Sequence, residues 1–127
     1  AQLNGQNLAT STVKQLRDVR LNATTPYMFT SDYECECFER VRQQVRLTAF
    51  GGDAYAFGLL ASGHIDIIME ADLQYYDVAA LIPIITASGG VISDWQGNPL
   101  TREFNGQCLA CANIELQQEV LKVIKSI

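Results

Sequence analysis

The sequence predicts an α/β domain, a mixed and mostly parallel sheet covered by helices on both faces. Short apolar, β-branched runs alternate with segments whose apolar residues recur at helical spacing. Helix boundaries are marked by Ser31-Asp32-Tyr33-Glu34 and Asn113 at starts, and by Gly63 and Gly89-Gly90 at ends. The resulting order is strand, helix, strand, helix, strand, helix, strand, strand, helix, which calls for helices on both sides of one sheet.

Leu3-Asn4-Gly5-Gln6 carries the Asn-Gly pair of a type I′ turn, so the chain is expected to open in a β-hairpin. Ser11 to Leu21 reads as an irregular or weakly helical connection, and Thr25 to Thr30 as a short strand. Ser31 and Glu34 form a capping box that starts a helix running to about Gln44. Its inward stripe is Cys37, Phe38, Val41 and Val45, with Glu36, Glu39, Arg40 and Arg42 on the solvated side. Arg46 to Phe50 is the next strand. It leads through Gly51-Gly52-Asp53 into a helix, Ala54 to Ser62, that is apolar on nearly every side and so must be buried. His64, the single histidine, follows the helix-ending Gly63 and reads as a cap-region residue.

Ile65 to Ala71 alternates as a strand, with Ile65, Ile67 and Met69 on one face and Asp66, Ile68 and Glu70 on the other. Asp77 is suited to cap the helix that begins Val78-Ala79-Ala80-Leu81 and ends at Gly89-Gly90. Val91 to Trp95 is a strand, with Trp95 packing, and Gln96 to Pro99 a turn. Cys108 to Asn113 is the last strand, and Asn113 caps a final helix striped by Leu116, Val120, Val123, Ile124 and Ile127.

Composition narrows the function. A chain of 127 residues, 48% hydrophobic, is long enough for one domain with its own core. The net charge of −5 opposes a nucleic-acid groove, which needs clustered Lys and Arg. No apolar run approaches a membrane span. The chain begins with Ala1 and shows no signal-peptide pattern, so a fragment or processed product is expected. Cys35-x-Cys37 and Cys108-x-x-Cys111 lie inside periodic segments, which favours reduced thiols over zinc and suggests the cytoplasm.

Open α/β sheets bind ligands outside the carboxyl ends of their strands. Three such ends are expected to carry Thr30-Ser31, Gly51-Gly52-Asp53, and Glu70 with Asp77. Gly51 and Gly52 allow close backbone approach, but Asp53 at a helix N-terminus repels phosphate and welcomes a cation. A rim this acidic needs a divalent cation such as Mg²⁺ before it can hold a phosphate. Asp77 could supply one ligand, and one is too few.

Tyr76-Asp77-Val78-Ala79-Ala80 followed by Ala87-Ser88-Gly89-Gly90-Val91 resembles the second signature of the inositol monophosphatase family, W-D-x-A-A then E-A-G-G-x. Asn4-Gly5 resembles that family's mid-sequence hairpin. Phe50-Gly51-Gly52-Asp53-Ala54-Tyr55 with Glu70-Ala71-Asp72-Leu73 resembles its histidinol-phosphate phosphatase branch. The resemblance implies the carboxyl-terminal half of a sugar-phosphatase-like fold, with Asp77 a Mg²⁺ ligand. Glu70 would bind the hydroxyl or amine side of the substrate, Gly51, Gly52 and Asp53 would line its pocket, and Ser31 would approach it.

Tyr76 and Ser88 depart mildly from the signature. The family's first signature, D-P-[IL]-D-G-[TS], and its upstream glutamate do not occur here. The expectation is therefore the substrate-recognition half of a Mg²⁺-dependent phosphomonoesterase acting on histidinol phosphate, inactive alone, completed by an amino-terminal metal-binding half and homodimeric when complete. Alternatives are an inositol-phosphate phosphatase of the same family and a non-catalytic ligand-binding or interaction domain.

Overall fold

Thr25-Pro26 decides where the first long strand stops. Thr25 is extended, as a residue before proline must be, and its hydroxyl accepts the Tyr27 N–H of a 3₁₀ turn, Pro26–Met28. The strand therefore lies earlier than Thr25–Thr30, at Arg20–Ala23, and the connection before it contains a 3₁₀ turn at Leu16–Asp18. The computed structural model describes residues 1–127.

In chain order, β1 (Gln2–Leu3) and β2 (Gln6–Asn7) form the expected hairpin, with Asn4 and Gly5 both at positive φ. Then come β3 (Arg20–Ala23), α1 (Asp32–Arg42), β4 (Leu47–Phe50), α2 (Asp53–Ala61) and β5 (Ile67–Glu70). Two short helices, α3 (Tyr75–Val78) and α4 (Leu81–Ala87), are followed by β6 (Val91–Ser93), β7 (Cys108–Cys111) and α5 (Ile114–Lys125).

The sheet order is β4-β3-β5-β7-β6. β4, β3 and β5 are mutually parallel, while β7 is antiparallel to both β5 and β6. Four strands thus share one direction and β7 opposes them, as a mixed, mostly parallel sheet requires. Helices α1 and α5 cover one face, burying Cys37, Phe38, Val41, Leu116, Val120 and Ile124 against Leu21, Ile67, Met69 and Leu109. Helices α2 and α4 cover the other, where Phe57, Leu60 and Ile85 pack on Ile68, Cys108 and Ala110. Trp95 is fully buried, its ring 5.9 Å from that of Phe29 and its indole N–H donating to the Cys108 carbonyl.

Several local expectations are corrected. Glu34 reaches past the Ser31 N–H to accept the Thr30 N–H, while Ser31 accepts from Glu34 as a cap should. The segment after Asp77 is two helices because Pro83 has no N–H for the Ala79 carbonyl, and its ring crowds that carbonyl. Gly63-His64 and Gly89-Gly90 close α2 and α4 with paired bonds: His64 N–H to Leu59 O, Gly63 to Leu60, Gly90 to Ile85 and Gly89 to Thr86. The amphipathic stripe of α5 includes a buried amide, Gln117, which donates to Ser93 Oγ. Cys108 and Cys111 point into opposite cores, so they cannot ligate one ion, and burial pushes both thiols far up. Cys37 is buried on α1 and Cys35 exposed.

Candidate functional site

The parallel arrangement brings the carboxyl ends of β3, β4 and β5 to one edge of the sheet. Gly51 is tied there directly, its N–H donating to the carbonyls of Ala23 and Thr24 at 3.0 and 2.9 Å. At that edge a cleft of about 300 Å³ is lined by Thr24, Met28, Asp53, Ala54, Phe57, Glu70, Leu73, Asp77, Val78 and Leu81. Three carboxylates share it, and no Lys, Arg or His lines it.

Glu70 is the buried member, 4% exposed, at the end of β5. Its Oε2 accepts both the Thr24 N–H at 2.7 Å and the Thr24 hydroxyl at 2.5 Å. Burial pushes this carboxyl above the usual glutamate range, and the charges of Asp53 and Asp77 push the same way, against the two bonds from Thr24.

Asp53 is exposed and sits at the start of α2 with φ +43°, after Gly51 and Gly52 at +99° and +97°. Gly52, in the left-handed region, is the residue that caps the helix, so Asp53 is not the cap and its side chain makes no cap bond. Holding a non-glycine residue there has a conformational cost, and aspartate is among the residue types that tolerate it best. Gly51 and Gly52 set up this entry without lining the cleft themselves.

Asp77 is exposed at the third position of α3, where one carboxylate oxygen accepts the Gln74 N–H at 2.7 Å. Asp77 is therefore not the cap of a helix starting at Val78: the helix starts at Tyr75 with Gln74 as its cap, and Asp77, inside the first turn, reaches back to the cap's N–H. Ser31 lies outside the cleft lining, its hydroxyl spent on the Glu34 N–H. Thr24 and Met28 were missed because the strand before them was misplaced. The available signal was the apolar Leu21 and Ala23 flanking Asn22, stopped by Thr-Thr-Pro.

Over residues 1–127 the sequence matches the inositol monophosphatase family. The chain belongs to the inositol monophosphatase family. Among its relatives, bifunctional phosphatase IMPL2, chloroplastic, of Arabidopsis thaliana is 37% identical over 108 residues, 85% of this chain and 31% of that protein. A histidinol-phosphatase of Streptomyces coelicolor is 30% identical over 84 residues, 66% of this chain and 30% of the relative. Among solved structures, an inositol monophosphatase from Zymomonas mobilis is 35% identical with a TM-score of 0.92, covering 98% of this chain and 49% of that one. The extragenic suppressor protein suhB from Bartonella henselae, at 22% identity and TM-score 0.84, shares the fold. The chain spans about a third of the length of these curated relatives.

The family resemblance implies magnesium, and the residues present fit it only in part. The donor chemistry suits a hard cation, since the cleft offers carboxylate oxygens. The number does not: no three His, Cys, Asp or Glu side chains are grouped to hold an ion. Asp77 offers one oxygen, with the other on Gln74, and Glu70 spends Oε2 on Thr24. The residues of this chain do not form a magnesium site by themselves.

No helix is long and apolar enough to cross a membrane.

Proposed function

We propose that this chain is the substrate-recognition part of a magnesium-dependent phosphomonoesterase whose substrate is the phosphate ester of a cationic amino alcohol, L-histidinol phosphate. The observation that carries this reading is the charge of the cleft: Asp53, Glu70 and Asp77 line it without one basic side chain. Such a site repels the phosphoryl end of a ligand and favours an ammonium or imidazolium end. Phe57, Leu73, Val78 and Leu81 supply apolar walls for the carbon skeleton between them. Two relatives that carry the name histidinol-phosphatase, from Chlorobaculum parvum and Streptomyces coelicolor, support the choice of amino alcohol.

In this reading Asp77 would lend its free oxygen to magnesium only together with further carboxylates from a metal-binding part. Magnesium bound there would supply neutralisation of phosphoryl charge. The residues present here bind and orient the alcohol end, with Glu70 the buried acid of the cleft lining. Exposed Leu3, Tyr55 and Ile84, which border or line an apolar hollow beside α2, are consistent with a face that packs against that second part or a second copy.

A second reading, an inositol-phosphate phosphatase, is favoured by the Zymomonas mobilis inositol monophosphatase structure at TM-score 0.92. It asks for a neutral polyol and leaves Asp53 without a charge to meet.

The test is turnover. The 127-residue chain alone is expected to hydrolyse neither L-histidinol phosphate nor inositol 1-phosphate at any Mg²⁺ concentration. Joined to the metal-binding part of a family member, it is expected to hydrolyse histidinol phosphate preferentially. Mg²⁺-stimulated turnover by the chain alone, or a preference for inositol phosphate in the joined enzyme, would overturn this reading. Binding without turnover in both forms would mark a ligand-binding domain instead.

A further inference from the structure

Two polar pairs join the ends of β3 to the ends of β5 on the side covered by α2. At one end Arg20 meets Asp66, and at the other Thr24 meets Glu70. The first pair is far from the cleft and is fully used, since every oxygen of Asp66 has a donor. The second pair is not. Both Thr24 donors converge on Glu70 Oε2, and no protein group bonds to Oε1. Thr24 and Glu70 both line the cleft, and Thr24 is the only one of its lining residues whose hydrogen bonds reach Glu70.

We infer that Thr24 is a positioning residue: by pinning Glu70 Oε2 with its backbone N–H and its hydroxyl, it fixes the carboxylate plane so that Oε1 alone faces the cleft and receives the ligand's cationic donor. The inference rests on the proposed recognition of a cationic alcohol for its ligand, but not for its geometry. A carboxylate at a strand end has a free last torsion, broad and two-fold, that leaves either oxygen available. Two donors on one oxygen remove that freedom before the ligand arrives, which lowers the ordering cost of binding. The hydroxyl also works against burial. The groups that face Glu70 are Asp53 from α2, Asp77 from α3 and the Cys108 thiol across β7, none of them cationic. Thr24 is thus the side chain that helps this buried acid stay ionised in an acidic cleft.

Thr24→Val keeps shape and backbone N–H and deletes the hydroxyl, whereas Thr24→Ser keeps both donors. The first readout needs no ligand: a pH titration of the Glu70 side-chain carboxyl carbon by NMR in the 127-residue chain. The Val variant is expected to move its midpoint upward, and the Ser variant to leave it in place. The second readout is the affinity for L-histidinol, which Thr24→Val should weaken about tenfold or more and Thr24→Ser should restore. Thr24→Ala, smaller and without strain, serves if the Val variant fails to fold. A Glu70 midpoint that ignores Thr24→Val would overturn the inference whatever the substrate is. So would unchanged histidinol affinity in a Val variant whose midpoint had moved. If the unsubstituted chain does not bind histidinol while the midpoint still follows the hydroxyl, the substrate reading fails and the positioning of Glu70 stands.

Discussion

Asp66→Ala is expected to destabilise the domain by about 3 kcal/mol, the lower end of what breaking a buried ion pair costs. Asp66 is fully buried and accepts from the Arg20 backbone N–H, the Arg20 guanidinium at two nitrogens, and the Ser11 hydroxyl. The same guanidinium donates to the Gly63 carbonyl, so one acid ties the amino-terminal segment, β3 and the loop after α2 together. The lower end applies because the Arg20 side chain is 33% exposed and can turn to water when its partner is lost. The effect depends on pH with a definite sign. Burial alone would raise the Asp66 carboxyl, but the bonds from Arg20 and Ser11, with the Arg20 charge, hold it below its ordinary value of 3.8. An acid whose folded value is depressed contributes stability above its unfolded value and loses it as pH falls through the folded one. Denaturant titrations should therefore show the deficit of Asp66→Ala undiminished at neutral pH and shrinking below about pH 4. A deficit independent of pH would mean that Asp66 acts by packing alone.

Glu70→Gln should move stability and binding in opposite directions. The Glu70 carboxyl is raised by burial first and by Asp53 and Asp77 after it, so its stabilising contribution is complete below its unfolded value, near 4.5, and is lost as pH rises through the folded value. At neutral pH the ionised acid is a burden on the fold. A neutral amide can still accept from Thr24, and relieving the burden should raise stability by roughly 0.5–2 kcal/mol, the range for easing a strained functional position. Affinity for a cationic ligand should fall by the worth of a charge-assisted hydrogen bond, about 1.5–3 kcal/mol, or roughly ten- to a hundredfold. Thermal unfolding and histidinol binding, measured on the same protein at pH 7, check both signs. A variant that lost stability and binding together would place Glu70 in the scaffold.

The sequence made the layers legible because periodicity and caps are local. The stripe of α1, the Asn113 cap and the glycine stops of α2 and α4 each depend on residues within a few positions. What it hid depends on pairing between distant strands. β3 is four residues long with Arg20 and Asn22 alternating against Leu21 and Ala23, too short and too polar to stand out before its partners β4 and β5 are known. Placing the strand at Thr25–Thr30 cost the site its Thr24 and brought in Ser31. Aspartate at a helix start usually caps it, but Asp53 does not. The left-handed Gly52 takes that role, which no local propensity rule reveals. Asp77 lines the cleft with one oxygen on the Gln74 N–H and the other free, although Gln74 rather than Asp77 caps the helix.

The central claim is that the acidic cleft selects a cation, and Asp53 tests it most directly. Its side chain makes no cap bond and its backbone is left-handed, a conformation that asparagine tolerates as well as aspartate, so Asp53→Asn changes charge with little else. The measurement is kcat/KM of the enzyme completed by a metal-binding part, on L-histidinol phosphate and on inositol 1-phosphate in parallel. The account predicts a loss of about ten- to a hundredfold on histidinol phosphate with inositol phosphate nearly unchanged. Equal losses on both substrates, or none on either, would contradict it.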